Sequence, residues 1–196
     1  MQPPLSIIGR TARAPRRVAP VNSALDRMKP IRVRPALPED LAHLPAIEQD
    51  AAARFPLEDL PPGVAQVASV EELQRGLGEG MLWVAERESG RPLGFVLCHA
   101  EGSHFHILEM DVLTSHSGQG IGGALLQAAT DAALRAGFRT MTLTTFEHLD
   151  WNGPFYAKRG FHNVVDLGAY PHLRAALQAE AARGLHRRVA MVKHAV

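Results

Sequence analysis

A short glycine-rich run between an apolar segment and a helix-like segment restricts the folds open to this chain. The run Ser117–Gly123 follows the apolar segment 107–113 and precedes the alanine- and leucine-rich segment 124–129, so it joins a strand to a helix. Glycines at such a junction let the backbone approach a ligand closely, with several N–H groups pointing the same way. The positive end of the helix dipole adds to them. The run therefore predicts a seat for a phosphate or a diphosphate.

The segments around this run alternate between strand-like and helix-like patterns. Short turns separate the three strands before the run, which favours an antiparallel meander. The strand after the helix should lie parallel to the strand before the run, as in a βαβ unit. These patterns predict an α/β (α+β) domain. Predicted strands cover 30–34, 81–86, 93–99, 104–113, 140–146, 161–166 and 187–192, and predicted helices begin at Pro38 or cover 70–77, 121–136, 151–159 and 173–182.

Composition and charge indicate one globular domain behind an N-terminal extension. The chain has 196 residues, of which 46% are hydrophobic. Residues 1–27 are rich in proline and arginine, so we expect a disordered or flexible extension there and a folded domain over 28–196. The net charge of +1 and the lack of an apolar run of roughly 20 residues argue against nucleic-acid and membrane partners. The single cysteine, Cys98, favours a reducing compartment, so we expect a cytoplasmic protein.

The glycine run by itself fits more than one interpretation. Gly118–Gly123 matches G-x-G-x-x-G, the dinucleotide fingerprint. A doubly wound dinucleotide-binding fold places this loop after its first strand, with an acidic residue about 20 residues further on. Here the run lies in the middle of the chain, and Glu147, the acid at the end of the next strand, comes somewhat late. A turn that only packs a helix on a strand is a further interpretation.

A second motif narrows these alternatives. Tyr156 is followed four and five residues on by Gly160 and Phe161. Combined with the run Ser117–Gly122, this pattern resembles the GNAT superfamily of acyl-CoA-dependent N-acetyltransferases. The loop of that family has the form Arg/Gln-x-x-Gly-x-Gly/Ala, and its later signature is a tyrosine followed by Gly-Phe. The resemblance implies the GNAT fold, a mixed central sheet of six to seven strands with a splayed parallel pair, flanked by helices.

The resemblance also implies acetyl-CoA as the cosubstrate. The pantetheine arm would lie between the strand that ends at Leu113 and the strand 140–146, bonded to the backbone near Val112 and Thr114. The pyrophosphate would lie on amides of the glycine run, which agrees with the anion seat derived above. The implied cofactor-binding residues are Val112, Thr114, Ser117, Gly118, Gln119, Gly120, Ile121, Gly122, Gly123 and Asn152.

Three positions depart from the family pattern. Ser117 stands where the family usually has arginine or glutamine, so a side-chain contact to phosphate is lost or weakened. Thr114 stands where a proline is frequent. Leu149 stands where an asparagine is often found, and Asn152 is nearer to the tyrosine. The seat is therefore expected to rely on backbone amides and the helix dipole.

Tyr156 and Glu109 are the predicted catalytic residues. A phenol within hydrogen-bond reach of the departing thiolate of coenzyme A can protonate it, and family members often use this tyrosine so. Glu109 shares a strand face with Asp111 and can take the proton of the attacking ammonium, directly or through water. The alternatives are a tyrosine that only packs on Phe161 and carboxylates on a solvated strand edge.

Histidines offer a further alternative for the base. His104 and His106 repeat an alternating spacing along the strand of Glu109, and a histidine is a suitable base near neutral pH. Together with His99 and His116 they also raise the question of a metal site. The single cysteine and the lack of compact ligand spacing argue against one.

The predicted function is N-acetyl transfer from acetyl-CoA to a primary amine in a ternary complex. A non-catalytic acyl-CoA-binding or regulatory module of the same fold is the alternative. The expected acceptor is a small-molecule amine or a peptide amine. Its identity is open, because the segment 48–63 and the loops near His148 and Tyr170 carry no clear charge pattern. Phe55, Trp151 and Tyr170 suggest an apolar wall. The resemblance is also compatible with a homodimer.

Overall fold

The computed structural model describes residues 29–60, 68–88 and 90–194. The extension expected over 1–27 lies outside these residues. The strands are β1 (Arg32–Pro35), β2 (Leu82–Glu86), β3 (Pro92–Glu101), β4 (His104–Val112), β5 (Thr140–Phe146), β6 (His162–Asn163) and β7 (Arg188–His194), and the helices are α1 (Leu44–Ala52), α2 (Val70–Gly78), α3 (Ile121–Arg135), α4 (Gly153–Ala157) and α5 (Pro171–Ala182).

All seven strands form one sheet in the order β1-β2-β3-β4-β5-β7-β6. Neighbours are antiparallel except for β4 and β5, which are parallel. The mixed seven-stranded α/β fold predicted from the sequence is confirmed. Because one parallel pair occurs among the described strands, this sheet is not doubly wound, and the dinucleotide-binding alternative does not fit it.

The parallel pair is joined over a short stretch only. Residues His104–His106 of β4 pair with Thr140–Thr142 of β5. Both strands then continue, to Val112 and to Phe146, without further pairing to each other. The two strands therefore separate into an open cleft, which confirms the splayed pair that the resemblance implied.

A β-bulge lies in β4 at Leu108. Adjacent residues Leu97 and Cys98 of β3 pair with Glu109 and Ile107 of β4, so Leu108 is the extra residue. An extra residue on one strand reverses the alternation of the side chains that follow it.

The bulge decides which β4 side chains face the main core. Phe105 before the bulge, and Met110 and Val112 after it, pack against the same hydrophobic cluster, which includes α3. Glu109 and Asp111 consequently lie on the opposite face of the sheet. A second core under α1 and α2 covers that face further along the sheet.

Two predicted elements differ in extent from the structure. The helical pattern that begins at Pro38 divides into a 3₁₀ turn, Pro38–Ala42, and helix α1, because Pro45 cannot continue a helix from its interior but fits its first turn. The strand predicted over 161–166 is reduced to His162–Asn163. The chain turns at Asp166, whose carboxylate accepts the Gly168 N–H at 2.8 Å.

No helix among the residues that the structure describes combines the length and the apolar character that a membrane crossing requires.

Candidate functional site

A cavity of about 1230 Å³ occupies the cleft where β4 and β5 separate. The glycine run and the start of α3 form one end, and α1, the start of α2 and the end of α5 form other parts of its wall. All predicted cofactor residues except Thr114 and Gln119 line it, and both predicted catalytic residues line it. Residues far apart in the sequence therefore meet in one cleft.

The glycine run adopts a conformation that only glycine accommodates easily. Gly118 and Gly120 have φ angles of 72° and 85°, in the left-handed region. Gly120 is the N-cap of α3, and no side chain caps this helix end. The N–H groups of the first turn have no partner within the helix. The residues of this first turn line the cavity, and the positive end of a 15-residue helix therefore lies beside it.

A guanidinium from another element stands beside Ser117. Arg54, just beyond the end of α1, donates an N–H to Ser117 Oγ at 3.0 Å. Its guanidinium also lies 4.7 Å from the centre of the Trp151 ring, which holds it in place. The loop position that lacks a basic side chain in the sequence therefore has one beside it in space.

A second guanidinium flanks the same helix end. Arg159 lies over the Phe155 ring, 3.7 Å from its centre, and donates to the Phe155 carbonyl at 2.9 Å. Its terminal nitrogen is 3.3 Å from the position that a Cβ on Gly123 would occupy. Arg54 and Arg159 thus both lie next to the anion seat.

Two predicted cofactor residues have other contacts. The Thr114 N–H donates to Asp50 Oδ2 at 2.6 Å, and the Thr114 carbonyl accepts the Ser117 N–H at 3.2 Å. The Gln119 side chain accepts from Arg87 at 3.0 Å and donates to the Ser115 carbonyl. These contacts fix the shape of the loop. Because the Thr114 N–H already donates to Asp50, it is not free to bond a ligand.

Val112 offers backbone groups to the cleft. The Leu113 N–H donates to the Leu93 carbonyl, so this pair is bonded across β3 and β4. In an antiparallel ladder the next residue directs its N–H and C=O to the other side. For Val112 that side faces the gap between β4 and β5, which no longer pair at this point. A linear polar chain lying in the gap can bond there.

Tyr156 lies between the core and the cleft. It is 8% exposed, its ring packs edge-on against Phe155 and Phe161, and it lines the cavity. Burial, followed by the charges of Glu109 and Asp111, raises the pKa of Tyr156. The phenol therefore keeps its proton at neutral pH.

The Tyr-Gly-Phe spacing also has a structural role. Gly160 has a φ of 86° and stops α4. The Phe161 N–H then donates to the Tyr156 carbonyl at 3.2 Å, as in a Schellman ending. The motif thus determines where Tyr156 sits at the end of the helix.

Three carboxylates meet in the cleft. Glu109 and Asp111 come from β4 and Glu48 from α1, and one oxygen of each lies within 4.8 Å of the others. Glu48 is 6% exposed and accepts a hydrogen bond from the Ala68 N–H. The Glu109 and Asp111 side chains interact electrostatically, and each affects the pKa of the other. We call this group the carboxylate cluster.

Burial is the main cause of the pKa changes in the carboxylate cluster. Desolvation raises the pKa of Glu48 to about 9, and the charge of Glu109 adds to the effect. Burial also raises the pKa of Asp111, together with Glu109 and Glu48, and the pKa of Glu109. Arg188 acts in the opposite direction on Glu109. A base with a raised pKa is better matched to proton transfer near neutral pH.

Arg188 lines the cavity and is bonded to partners outside the carboxylate cluster. Its guanidinium bonds both oxygens of Glu180, at 3.0 and 2.8 Å, and the Thr144 carbonyl and hydroxyl. It also lies 4.7 Å from the centre of the Phe146 ring. The carboxylate cluster therefore has no ion pair with this arginine.

The histidines differ in position. His106 donates to or accepts from Thr142 Oγ1 at 2.9 Å, and burial lowers the pKa of His106 to about 3. It stacks near His99 and His172 at the closed end of the parallel pair, outside the cavity lining. His116 lines the cavity, with Ser115 Oγ on its Nδ1 at 2.9 Å.

Part of the predicted apolar wall is present. Phe55 and Trp151 both line the cavity, and their rings pack edge-on at 6.3 Å. Tyr170 instead packs on His104 and His172, so its assignment to this wall is wrong. Helix α5 places it at the closed end of the parallel pair, where its ring finds these imidazoles.

A buried ion pair anchors the loop after α1. Asp59 has a side chain only 1% exposed and accepts from His148 Nε2 at 3.0 Å and from Arg187. His148 therefore supports the loop that carries Phe55, and it does not line the cavity. The contact ties the loop to the end of β5 and the start of β7.

The protein is a mixed α/β protein whose parallel strand pair splits, and the split is lined by a glycine-rich helix start, by carboxylates and by a phenol. The sequence model of the acetyltransferase (GNAT) family matches residues 44–161, more than half of the chain. The protein belongs to the GNAT acetyltransferase family.

Several solved acetyltransferase structures have a similar fold. The N-acetylglutamate synthase from Neisseria gonorrhoeae, complexed with coenzyme A and N-acetyl-glutamate, aligns with a TM-score of 0.64 and 19% identity over 85% of this chain, which spans 35% of that enzyme. The PaiA N-acetyltransferase from Thermoplasma acidophilum, in complex with coenzyme A, has a TM-score of 0.64 and 18% identity over 84% of this chain and 99% of its own.

The ribosomal-protein-S18-alanine N-acetyltransferase from Escherichia coli has a TM-score of 0.60 and 17% identity over 84% of this chain and 93% of its own. At these identities the likeness establishes the fold alone. The chemistry of this chain follows from its own residues.

Proposed function

We propose that this protein transfers the acetyl group of acetyl-CoA to a primary amine. The observation that carries this proposal is one cleft with three features: an anion seat at its mouth, and the carboxylate cluster and Tyr156 inside it. Coenzyme A bound to structures of the same fold supports the choice of cosubstrate. The diphosphate would lie on the N–H groups at the start of α3, and the pantetheine arm along the Val112 backbone.

The reaction needs a proton acceptor and a proton donor on opposite sides of the thioester. Glu109, directly or through water, accepts a proton from the acceptor ammonium, and the freed nitrogen lone pair attacks the thioester carbonyl carbon. A C–N bond forms as the C–S bond breaks, and Tyr156 gives its proton to the departing thiolate. The new amide nitrogen releases its remaining extra proton to solvent, and solvent reprotonates Tyr156. Both groups line the cavity, and the raised pKa of Tyr156 keeps it protonated for this step.

Replacing Glu109 should remove the base. In Glu109→Gln we expect kcat/KM for the amine to fall about 100-fold or more, the usual contribution of general-base catalysis. In the wild-type protein kcat/KM should rise with pH through the raised pKa of the cluster, because the base must lose its proton first. This rise of kcat/KM with pH should be absent in Glu109→Gln. Thiol release measured across pH with a panel of amines tests this.

Glu79→Gln is the matched control for Glu109→Gln, since Glu79 is exposed at the end of α2 and outside the cavity. A wild-type pH profile in Glu109→Gln would assign the base to another group. His116 would then be the first candidate, because it lines the cavity.

We further propose that Arg54 supplies the basic group that Ser117 does not. It bonds Ser117 Oγ and lines the cavity beside the anion seat. A guanidinium there can donate to a diphosphate oxygen. An exposed charge-assisted contact is worth about 1–1.5 kcal/mol, so Arg54→Gln should raise the KM for acetyl-CoA about tenfold.

A truncated thioester separates this contact from a general disturbance. S-acetylpantetheine carries no phosphate, so its KM should be unchanged in Arg54→Gln, and Arg75→Gln, at an exposed position on α2, should alter neither substrate. An equal loss with both thioesters would contradict a phosphate contact and indicate a displaced loop.

A further inference from the structure

The carboxylate cluster has unused hydrogen-bond acceptors. Glu48 Oε2 and Asp111 Oδ2 are buried and accept no hydrogen bond from the described residues. Glu48 is 6% exposed and is one of the residues that line the cavity. Buried acceptors without a donor are costly. The arrangement therefore calls for a ligand that brings donors.

The spacing of the three carboxylates leaves room for a primary ammonium as the donor. A primary ammonium has three N–H groups in tetrahedral directions. With N···O distances of about 2.8 Å, the three acceptor oxygens stand roughly 4.6 Å apart. The closest oxygens of Glu48, Glu109 and Asp111 lie within 4.8 Å of one another. One ammonium can therefore donate to all three residues at once.

The charge of the cluster also favours a cation and disfavours an anion. Mutual repulsion contributes to the raised pKa of Glu48 and of Asp111, and Glu72 adds a further negative charge near Glu48. Arg188 is engaged by Glu180 and Thr144. A positive charge among the three carboxyl groups stabilises their ionised forms, whereas a carboxylate carried by the ligand disfavours them.

We infer that the carboxylate cluster binds the acceptor as a primary alkylammonium, and that it selects acceptors with no carboxylate within ~6 Å of the amino group. This inference rests on the proposed function, because the bound ammonium is the group that is acetylated. Glu48 is then a substrate-binding residue from outside the two motifs. Simple alkylamines, diamines and lysine side chains fit this class, and free short amino acids do not.

A binding experiment tests this without requiring turnover. The protein saturated with coenzyme A is titrated in a calorimeter with 4-aminobutanamide and with 4-aminobutanoate, which differ in the neutral amide and the carboxylate. We expect the amide to bind at least about tenfold more tightly, from the Coulomb repulsion of a carboxylate at that distance. Equal or tighter binding of 4-aminobutanoate, or no binding of the amide at millimolar concentration, would overturn the inference.

Glu48→Gln identifies the cluster as the cause of the preference. Glutamine keeps the shape and can accept the Ala68 N–H, so the variant should fold, which thermal unfolding checks. We expect about tenfold weaker binding of 4-aminobutanamide, a narrower preference over 4-aminobutanoate and unchanged affinity for coenzyme A. Glu79→Gln should resemble the wild type. An unchanged preference in Glu48→Gln would overturn the assignment.

A divalent cation and the acetylation step are each tested by one more measurement. Titration with Mn²⁺ tests a divalent cation site, and micromolar Mn²⁺ affinity with competition against the amine would overturn the ammonium assignment. Thiol release from acetyl-CoA is measured in parallel with the same amines. Selective binding without thiol release would contradict the proposed function and leave the inferred selectivity supported.

Discussion

Gly120→Glu should reduce acetyl-CoA binding at least about 100-fold, because several charge-assisted hydrogen bonds would be lost together. Gly120 is the N-cap of α3 and has a φ of 85°. A glutamate there carries a negative charge to the place where the diphosphate would lie, next to the N–H groups of the first turn. The side chain also strains the left-handed backbone. Calorimetry with acetyl-CoA measures the loss.

Gly137→Glu is a matched control on the same helix. Gly137 follows the other end of α3, has a φ of 86°, and has open space around its Cβ position. Gly137→Glu therefore introduces the same charge and a similar backbone strain far from the anion seat. We expect a comparable loss of stability in both variants and a loss of binding in Gly120→Glu alone. Retained acetyl-CoA affinity in Gly120→Glu would refute the loop assignment.

Tyr156→Phe should lower kcat about 100-fold and leave acetyl-CoA affinity nearly unchanged, as expected for the loss of a general acid. Phenylalanine preserves the edge-on packing with Phe155 and Phe161, so the fold should persist. Because the pKa of Tyr156 is raised, wild-type kcat should not decline from loss of this proton until the pH exceeds the ordinary tyrosine range. Steady-state thiol release across pH measures both effects.

Tyr170→Phe is the matched control. Tyr170 is the other tyrosine of the chain, and it packs on His104 and His172 outside the cavity lining. An unchanged kcat in Tyr156→Phe would remove Tyr156 from the mechanism. If the wild-type protein binds acetyl-CoA but releases no thiol with any amine, the non-catalytic module becomes the better interpretation.

Local sequence patterns predicted the elements that depend on local physics. Alternation and helical spacing located the meander and α3, because these patterns repeat within a few residues. The glycines at 118 and 120 were informative because positive φ angles select this residue. Predicted boundaries differed where a neighbouring contact intervened, as at Asp166, whose turn shortens the strand predicted over 161–166.

The bulge at Leu108 shows what such patterns do not contain. It is visible only when the two strands are paired, because β4 then has one residue more than β3 over the same stretch. Simple alternation along β4 places its residues on the wrong faces beyond this point. The position of Glu109 and Asp111 opposite the core cluster therefore depends on the pairing of two strands.

The sequence by itself indicated the family and predicted the anion seat and the candidate acid and base, because each rests on short motifs with a local structural cause. Only the tertiary structure decided that Glu48 joins Glu109 and Asp111, and that Arg54 bonds Ser117 from 63 positions away. Contacts between distant segments leave no periodic trace in a single chain, since they arise when the sheet and helices pack. Both proposed features depend on such contacts: the carboxylate cluster that would select the acceptor, and the Arg54 guanidinium that would assist the phosphate seat.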